Sequence, residues 1–233
     1  MKQQKLGKKI IFFVGLFLSI SYVLPFVLVF LNAFKPKPEI LSNPLSWPVQ
    51  VTMENFQQAM EKMNFFMSLR NSIIITFFSV SALILVSSML AYYLARSKSK
   101  FSKTTFLILV ASMIVPFQAL MIPFMALFAQ FVSLNNQIAL IFFYIGFGTA
   151  LSTFLYHGFI SNIPTELDEA AAVDGASDFT TFWKIIFPML RPVTATVAIV
   201  NALWIWNDFL LPRLVLTPET QTLPLSTYLF YGQ

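Results

Sequence analysis

Between Thr104 and Thr165 the chain has no Asp, Glu, Lys or Arg. A segment so long and so apolar has few places to go. In lipid every backbone N–H and C=O must be satisfied within the chain, and about twenty apolar residues in a helix cross the hydrocarbon core. The rest of the sequence agrees: 57% of residues are hydrophobic and 11% charged, against roughly 25% charged in a soluble domain. Mean hydropathy is +0.73. This is the composition of an integral membrane protein. Its 27 Phe and 10 Met suit lipid-facing and helix-packing surfaces better than a water-soluble core. The net charge of +5 belongs with the bilayer, because no basic run is interleaved with aromatics, and nucleic acid is not an expected partner. With no cysteine, disulfides and cysteine-based metal or redox chemistry are excluded.

The amino terminus places Lys2, Lys5, Lys8 and Lys9 before an apolar run, Ile10–Leu31. That run is longer than the roughly 7–15 residues of a signal-peptide core, and no small-x-small cleavage pattern follows. We read it as a retained first span, kinked at Pro25. Four more spans can be drawn: about Ser72–Leu94, with Ser79, Ser81, Ser87 and Ser88 allowing close helix approach; about Thr105–Val132, interrupted by Pro116 and Pro123; about Gln137–Phe159, with Gly146, Gly148 and Gly158; and about Val193–Leu211. The fold class expected is all-α, a polytopic membrane helix bundle forming one domain over 1–233.

Orientation follows Lys and Arg placement. With the amino terminus inside, Lys2, Lys5, Lys8, Lys9, Arg96, Lys98, Lys100, Lys103, Lys184 and Arg191 are cytoplasmic, and Lys35, Lys37, Lys62, Arg70 and Arg213 are external. Five spans then put the carboxyl end outside, where an apolar segment begins after Pro224. The external segment after the first span opens proline-rich and extended. It continues as TMENFQQAMEKMNFFMSLR, helical by pattern with Thr52 as a cap and Met53, Phe56, Met60, Met63 and Met67 on one face. That stripe packs on neighbouring spans or rests at the interface; the alternative is a surface for an external partner.

The second half of the chain has one charged island. Glu166, Asp168, Glu169, Asp174 and Asp178 arrive together, followed by Lys184 and Arg191. Pro164 suits a first helical turn, with Ser161 or Asn162 as cap, and the acidic residues then sit at the positive end of the helix. Leu167, Ala170, Ala171 and Asp174 share a face by spacing. Gly175 can end the helix in the left-handed conformation. Ser177 can cap a second short helix, Asp178–Phe187, stopped by Pro188. Orientation makes the loop 160–192 cytoplasmic: two short helices at an angle across the inner mouth. Physically this is a docking lever for another protein or a structural hairpin.

The stretch EAAAVDGASDFTTFWKIIFPMLRP resembles the EAA signature of permease subunits of binding-protein-dependent ABC importers. Glu169, Ala170, Ala171, Asp174, Gly175, Ala176, Pro188 and Pro192 stand where that family has them. The preceding PTELDEAA, the later WIWNDFLLPRLVLT, the basic amino terminus and Asn71-Ser72 also resemble the carbohydrate-uptake branch, of maltose and glycerol-3-phosphate type. The resemblance extends over essentially the whole chain. It implies a complex with a second permease subunit, two ATP-binding subunits and an extracellular solute-binding protein. It further implies that Glu169, Ala170, Ala171, Asp174 and Gly175 are the ATPase-docking positions of a coupling helix. Permeases of this branch have six spans and this chain offers five; either the sequence is cut short before the sixth or the product is defective, and we expect the former.

On the fifth span Thr194, Ala198, Asn201, Ile205 and Asp208 share a face, with Trp204 beside them. Intramembrane polar groups usually face the bundle or a water-filled path. Gln118, Tyr144, Gly148 and Ser152 could face the same interior. Gln118, Tyr144, Ser152, Asn201, Trp204 and Asp208 are therefore candidates for lining a sugar path, the competing role being interhelical hydrogen bonding and packing. His157 is a lone histidine at the inner end of the fourth span, with no partner in the sequence that would make it a ligand or proton relay. No phosphate-cradling loop, nucleophile–base set or metal cluster is visible, so no catalytic site, cofactor or metal is expected here, and ATP belongs to partner subunits. The alternative function is an ion-coupled secondary transporter, which wants ionisable pairs at the midplane; the charge-free run argues against proton coupling.

Overall fold

Among the described residues each apolar run is helical, but two of the expected spans are broken where a proline or a half-buried carboxylate intervenes. The computed structural model describes residues 2–128, 130 and 136–231. Phe131 and Val132, the end of the third expected span, lie outside them, as do the side chains of Lys2 and Lys5. Among the described residues every regular element is helical. In chain order these are α1 (Lys2–Ala33), α2 (Lys37–Ser42), α3 (Glu54–Lys62), α4 (Phe65–Arg96), α5 (Lys100–Ser112), α6 (Phe117–Phe128) and α7 (Gln137–Ile160). Then come α8 (Glu166–Val173), α9 (Asp178–Thr181), a π turn (Phe182–Ile186), α10 (Phe187–Met189), α11 (Arg191–Asn207), α12 (Leu210–Val215) and α13 (Leu223–Tyr231). Three helices are long and apolar enough to cross a membrane, and five spans result if each of two bent pairs counts as one.

The chain divides into two compact units after Asn64. In the first, α1 runs through Pro25 without a break. The segment after it is built around Lys35, which is fully buried. Its Nζ donates to Asn43 O at 3.1 Å, Pro44 O at 3.3 Å and Ser46 Oγ at 3.5 Å. An ammonium can be held away from water only when its donors are used in this way. Asn55 Nδ2 reaches back to Ala33 O and Lys35 O, and Glu39 Oε1 accepts from Val49 N–H. The segment expected to be extended is thus a tied loop carrying a short helix. The helix expected over 52–70 stops at Lys62, because Asn64 takes a positive φ of 45°. The cap position is Met53, although Thr52 Oγ1 still accepts from Glu54 N–H.

In the second unit α4 and α7 are the principal packed pair, with α11 laid against both. Small residues make this approach possible. Ser72, Ser79, Ser87, Ser88 and Ala91 of α4 are buried, as are Gly148, Ala150, Ser152 and Thr153 of α7. In lipid no hydrophobic gain separates a helix pair from single helices, so close van der Waals contact must hold them. Two apolar layers result. One gathers Ile75, Leu83, Leu140, Phe143, Ile205 and Val215; the other gathers Ala91, Ile160, Ile163, Phe182, Ile186 and Val197.

Three polar rungs tie α7 to α11. Tyr144 Oη donates to Asp208 Oδ2 at 2.9 Å, Asn201 Nδ2 to Ser152 Oγ at 2.9 Å, and Tyr156 Oη to Thr194 Oγ1 at 3.0 Å. They run in opposite chain order, so the helices are antiparallel. Asn71 and Ser72 tie α4 to the end of the chain in the same way. Asn71 Nδ2 donates to Gln221 O at 3.1 Å, and Ser72 Oγ accepts from Leu223 N–H at 2.8 Å, which fixes the start of α13.

The third expected span is not one helix. α5 and α6 meet at 107°, and the break falls just before Pro116, which disfavours helical geometry at Val115. Pro123 lies inside α6 and does not end it. The fifth expected span, Val193–Leu211, ends early at Asn207, where Asp208 is extended (ψ 133°) and its Oδ1 accepts from Leu210 N–H to start α12.

Candidate functional site

Two features stand out in the second unit: the acidic turn after α7, and a cavity among α5, α6, α7, α11 and α12. The turn is built by short-range rules. Ser161 and Asn162 do not cap α8; Ser161 Oγ and Asn162 Nδ2 bond back to His157 O and Gly158 O, satisfying the last carbonyls of α7. The cap position is Thr165, without a side-chain bond, and three acidic residues fill the first turn of α8. The helix ends as the glycine requires. Gly175 has φ +79°, Ala176 N–H bonds to Ala171 O at 2.9 Å, and Gly175 N–H bonds to Ala172 O at 3.0 Å. That pair of bonds is the Schellman stop. Ser177 Oγ then accepts from Thr180 N–H and starts α9, as expected.

The second short helix differs from its sequence expectation. It continues past Phe187 to Met189 and does not stop at Pro188. The π turn explains this. Phe187 N–H bonds back to Phe182 O, and the wider turn relieves the clash that a proline ring would make with the carbonyl four residues earlier. The chain bends by 77° between Met189 and Arg191, into α11.

Burial sorts the five docking candidates. Glu169, Ala170, Asp174 and Gly175 are exposed, whereas Ala171 is buried at 5% and turned into the protein's own interior. Leu167 is half-buried beside it, so the face expected from spacing is split between the two sides. The exposed side also presents Val173, 88% exposed. Sequence pattern does not single out an apolar residue so bare at a helix end, since a lone Val after three alanines reads as ordinary helix. Nor does it show Asp168 as a contact. Asp168 pairs with Arg96 at 2.8 Å and accepts from Tyr92 Oη at 2.5 Å.

The cavity measures ≈ 1050 Å³. Phe117, Phe124, Phe128, Phe142, Phe143 and Phe147 make it aromatic, and polar groups enter at Gln118, Asn207 and Asp208, with Trp204 on the same wall. Of the six path candidates, Gln118, Trp204 and Asp208 line this space. Tyr144 lies behind it, fully buried, holding Asp208 by its hydroxyl and Trp204 edge-on at 5.5 Å. Ser152 and Asn201 are bonded to each other between α7 and α11 and do not line it. Asn207 carries no signal in the sequence that marks it for the cavity. It lies three residues beyond Trp204 on α11, and its Nδ2 bonds back to Leu203 O at 2.7 Å. His157 stacks on Phe106 with ring centroids 3.9 Å apart. No group of His, Asp and Glu fit for a metal ion occurs among the described residues.

Residues 87–232 match the family described as the binding-protein-dependent transport system inner membrane component. The chain belongs to this family. It is 41% identical, over 100% of its own length and 85% of the relative's, to the probable starch degradation products transport system permease protein AmyC of Thermoanaerobacterium thermosulfurigenes. It is 36% identical to the multiple sugar-binding transport system permease protein MsmG of Streptococcus mutans, over 92% and 79% of the two chains. To the melibiose/raffinose/stachyose import permease protein MelC of Bacillus subtilis it is 34% identical, over 97% and 82%. Among solved structures it is similar to a bacterial ABC transporter involved in import of the polysaccharide alginate, with a TM-score of 0.83 at 23% identity, covering 99% of this chain and 81% of that one. The permease is thus a multi-pass membrane transport subunit of all-α fold, and the ion-coupled alternative falls away with the family assignment.

Proposed function

We propose that this permease imports a carbohydrate, forming the translocation path with a second permease subunit. An extracellular solute-binding protein delivers the sugar, and two ATP-binding subunits dock on the turn formed by α8 and Gly175. The amino terminus and the loop 160–192 face the cytoplasm. The chain does no chemistry itself and takes no cofactor; ATP is bound and hydrolysed by its partners.

One observation carries this reading: the three relatives above are named for starch products, multiple sugars and melibiose-type oligosaccharides, and each aligns along most of the chain. The geometry supports it. The docking turn offers a small, exposed face with an apolar tip at Val173 between Glu169 and Asp174. The cavity offers aromatic faces for sugar rings, with carboxylate and amide groups for hydroxyls.

Two variants test the two halves of the proposal. Val173→Glu places a charge at the centre of the docking face. Co-purification of the ATP-binding subunits in detergent should fall by about tenfold, equivalent to about 1.4 kcal/mol of lost association; full recovery sinks docking at this turn. Trp204→Ala removes a stacking face from the cavity, and aromatic stacking is worth about 0.5–1.5 kcal/mol beyond burial. Sugar uptake in vesicles should drop roughly 3- to 10-fold with assembly intact, and unchanged uptake removes the cavity from the path.

A further inference from the structure

α8 is held to its unit by little apolar surface, since Ala171 is its buried residue and Leu167 is half-exposed. A lever attached so lightly would tilt when pushed. Its attachment is polar and comes from α4. Tyr92 and Arg96 are four residues apart, so they share a face at the end of that helix. Tyr92 Oη donates to Asp168 Oδ1, and Arg96 Nη2 pairs with Asp168 Oδ2 at 2.8 Å. The pair is sheltered, with the two side chains 16% and 20% exposed, which protects it from the screening that weakens surface ion pairs.

The same two residues hold the neighbouring elements. Arg96 Nη1 donates to Ile163 O at 3.2 Å and Ile160 O at 3.5 Å, closing the carboxyl end of α7, where a cation complements the dipole. The Tyr92 ring lies 5.3 Å from that of Phe182 in the π turn. One corner of α4 thus grips the end of α7, α8 and the π turn that leads through α10 to α11. Chain connection carries a push on α8 to α7 and α11, and packing on α7 passes it on to α4; this corner adds a direct polar route from α8 to α4.

We propose that Tyr92, Arg96 and Asp168 form a latch that locks the docking turn to α4, so that displacement of α8 carries α4, α7 and α11 together. The latch rests on the importer reading above, and its residues are positioning residues that act through α8. Tyr92→Phe keeps the ring against Phe182 but removes the donor. Asp168→Asn keeps the shape but leaves Arg96 sheltered without a countercharge.

The test uses the permease assembled with its second subunit and ATP-binding subunits in nanodiscs. The chain has no cysteine, so spin labels at Tyr93→Cys on α4 and Phe154→Cys on α7, both exposed, report the α4–α7 separation. With the latch intact, trapping by ATP and vanadate leaves that separation unchanged. In Tyr92→Phe and in Asp168→Asn, α4 falls behind and the separation shifts by roughly 2–5 Å, the scale of helix shifts in switching proteins; Arg96→Lys, which keeps the charge, shifts it less. Co-purification should match the wild type in all three variants. The thermal midpoint should stay near wild type in Tyr92→Phe and fall in Asp168→Asn, where Arg96 loses its countercharge, so Tyr92→Phe separates positioning from a general structural role. Label distances that stay at the wild-type value in both variants overturn the latch. Failure of the unaltered permease to retain any ATP-binding subunit overturns the importer reading, and the latch with it, before any variant is made.

Discussion

Gly175→Val should abolish import while leaving the permease in the membrane at wild-type level. Gly175 sits at φ +79°, and a Cβ built there meets nothing within 4 Å. The damage is therefore conformational and not a clash. A residue with a Cβ in the left-handed region loses roughly 1–2 kcal/mol, and a β-branched one resists it further. The turn escapes the strain by giving up the two bonds from Gly175 and Ala176 to Ala172 O and Ala171 O. Val173 and Asp174 then no longer present the same face. Because the spans contribute nothing to this turn's strain, insertion is unaffected. Uptake should fall on the order of 100-fold, near the upper end of coupling free energies. Gly175→Asn, which tolerates the left-handed region, should retain a measurable fraction. Wild-type uptake by Gly175→Val, with the protein at normal level in the membrane fraction, removes the turn from the transport cycle.

Gly175 and Ser177 are readable in the sequence because their effects are local. A positive φ and a side-chain cap involve residues within a few positions of each other, and the chain spells them out. What opposes a face is different information. The spacing of Thr194, Asn201 and Asp208 marks the inward side of α11, and all three do point inward. That Asn201 meets Ser152 while Asp208 meets Tyr144 and opens onto a cavity depends on the register of two helices, which no single-helix periodicity contains. Asp168 is the sharpest case. At the first turn of α8 it reads as a dipole partner, and that reading holds; its second role depends on Arg96, far away in the chain. Prolines mislead for a related reason. The third span breaks just before Pro116, while Pro25 and Pro123 lie inside unbroken helices and Pro188 follows a π turn; the residue type alone does not say which will happen.

Gly148→Leu should give little or no folded permease, and the reason lies in the α4–α7 contact. A Cβ at Gly148 would come within 2.7 Å of Leu83 Cδ1, 2.9 Å of Leu83 Cδ2 and 3.1 Å of Asn201 Oδ1. Leu83 is fully buried, so it can yield only by disturbing the layer around it, and Asn201 is already committed to Ser152 and Val197 O. Overpacking a fitted core costs about 1–3 kcal/mol per small insertion. Gly148→Ala should therefore lower the thermal midpoint in detergent, and the four-carbon leucine side chain should exceed what the pair can absorb. A compensating change decides whether steric contact is the cause. Leu83→Ala alone leaves a cavity and costs about 2–5 kcal/mol. Combined with Gly148→Ala, the new methyl occupies part of the vacated space, so the double variant should be more stable than the sum of the singles by about 0.5–3 kcal/mol. Gly158 supplies the control, because nothing lies within 4 Å of a Cβ there; Gly158→Ala should be neutral or gain about 0.5–1 kcal/mol from helix propensity. Additive losses at Gly148 and Leu83 would mean that the two residues do not share a contact. In that case the close approach of α4 and α7 would have to rest on the buried serines instead.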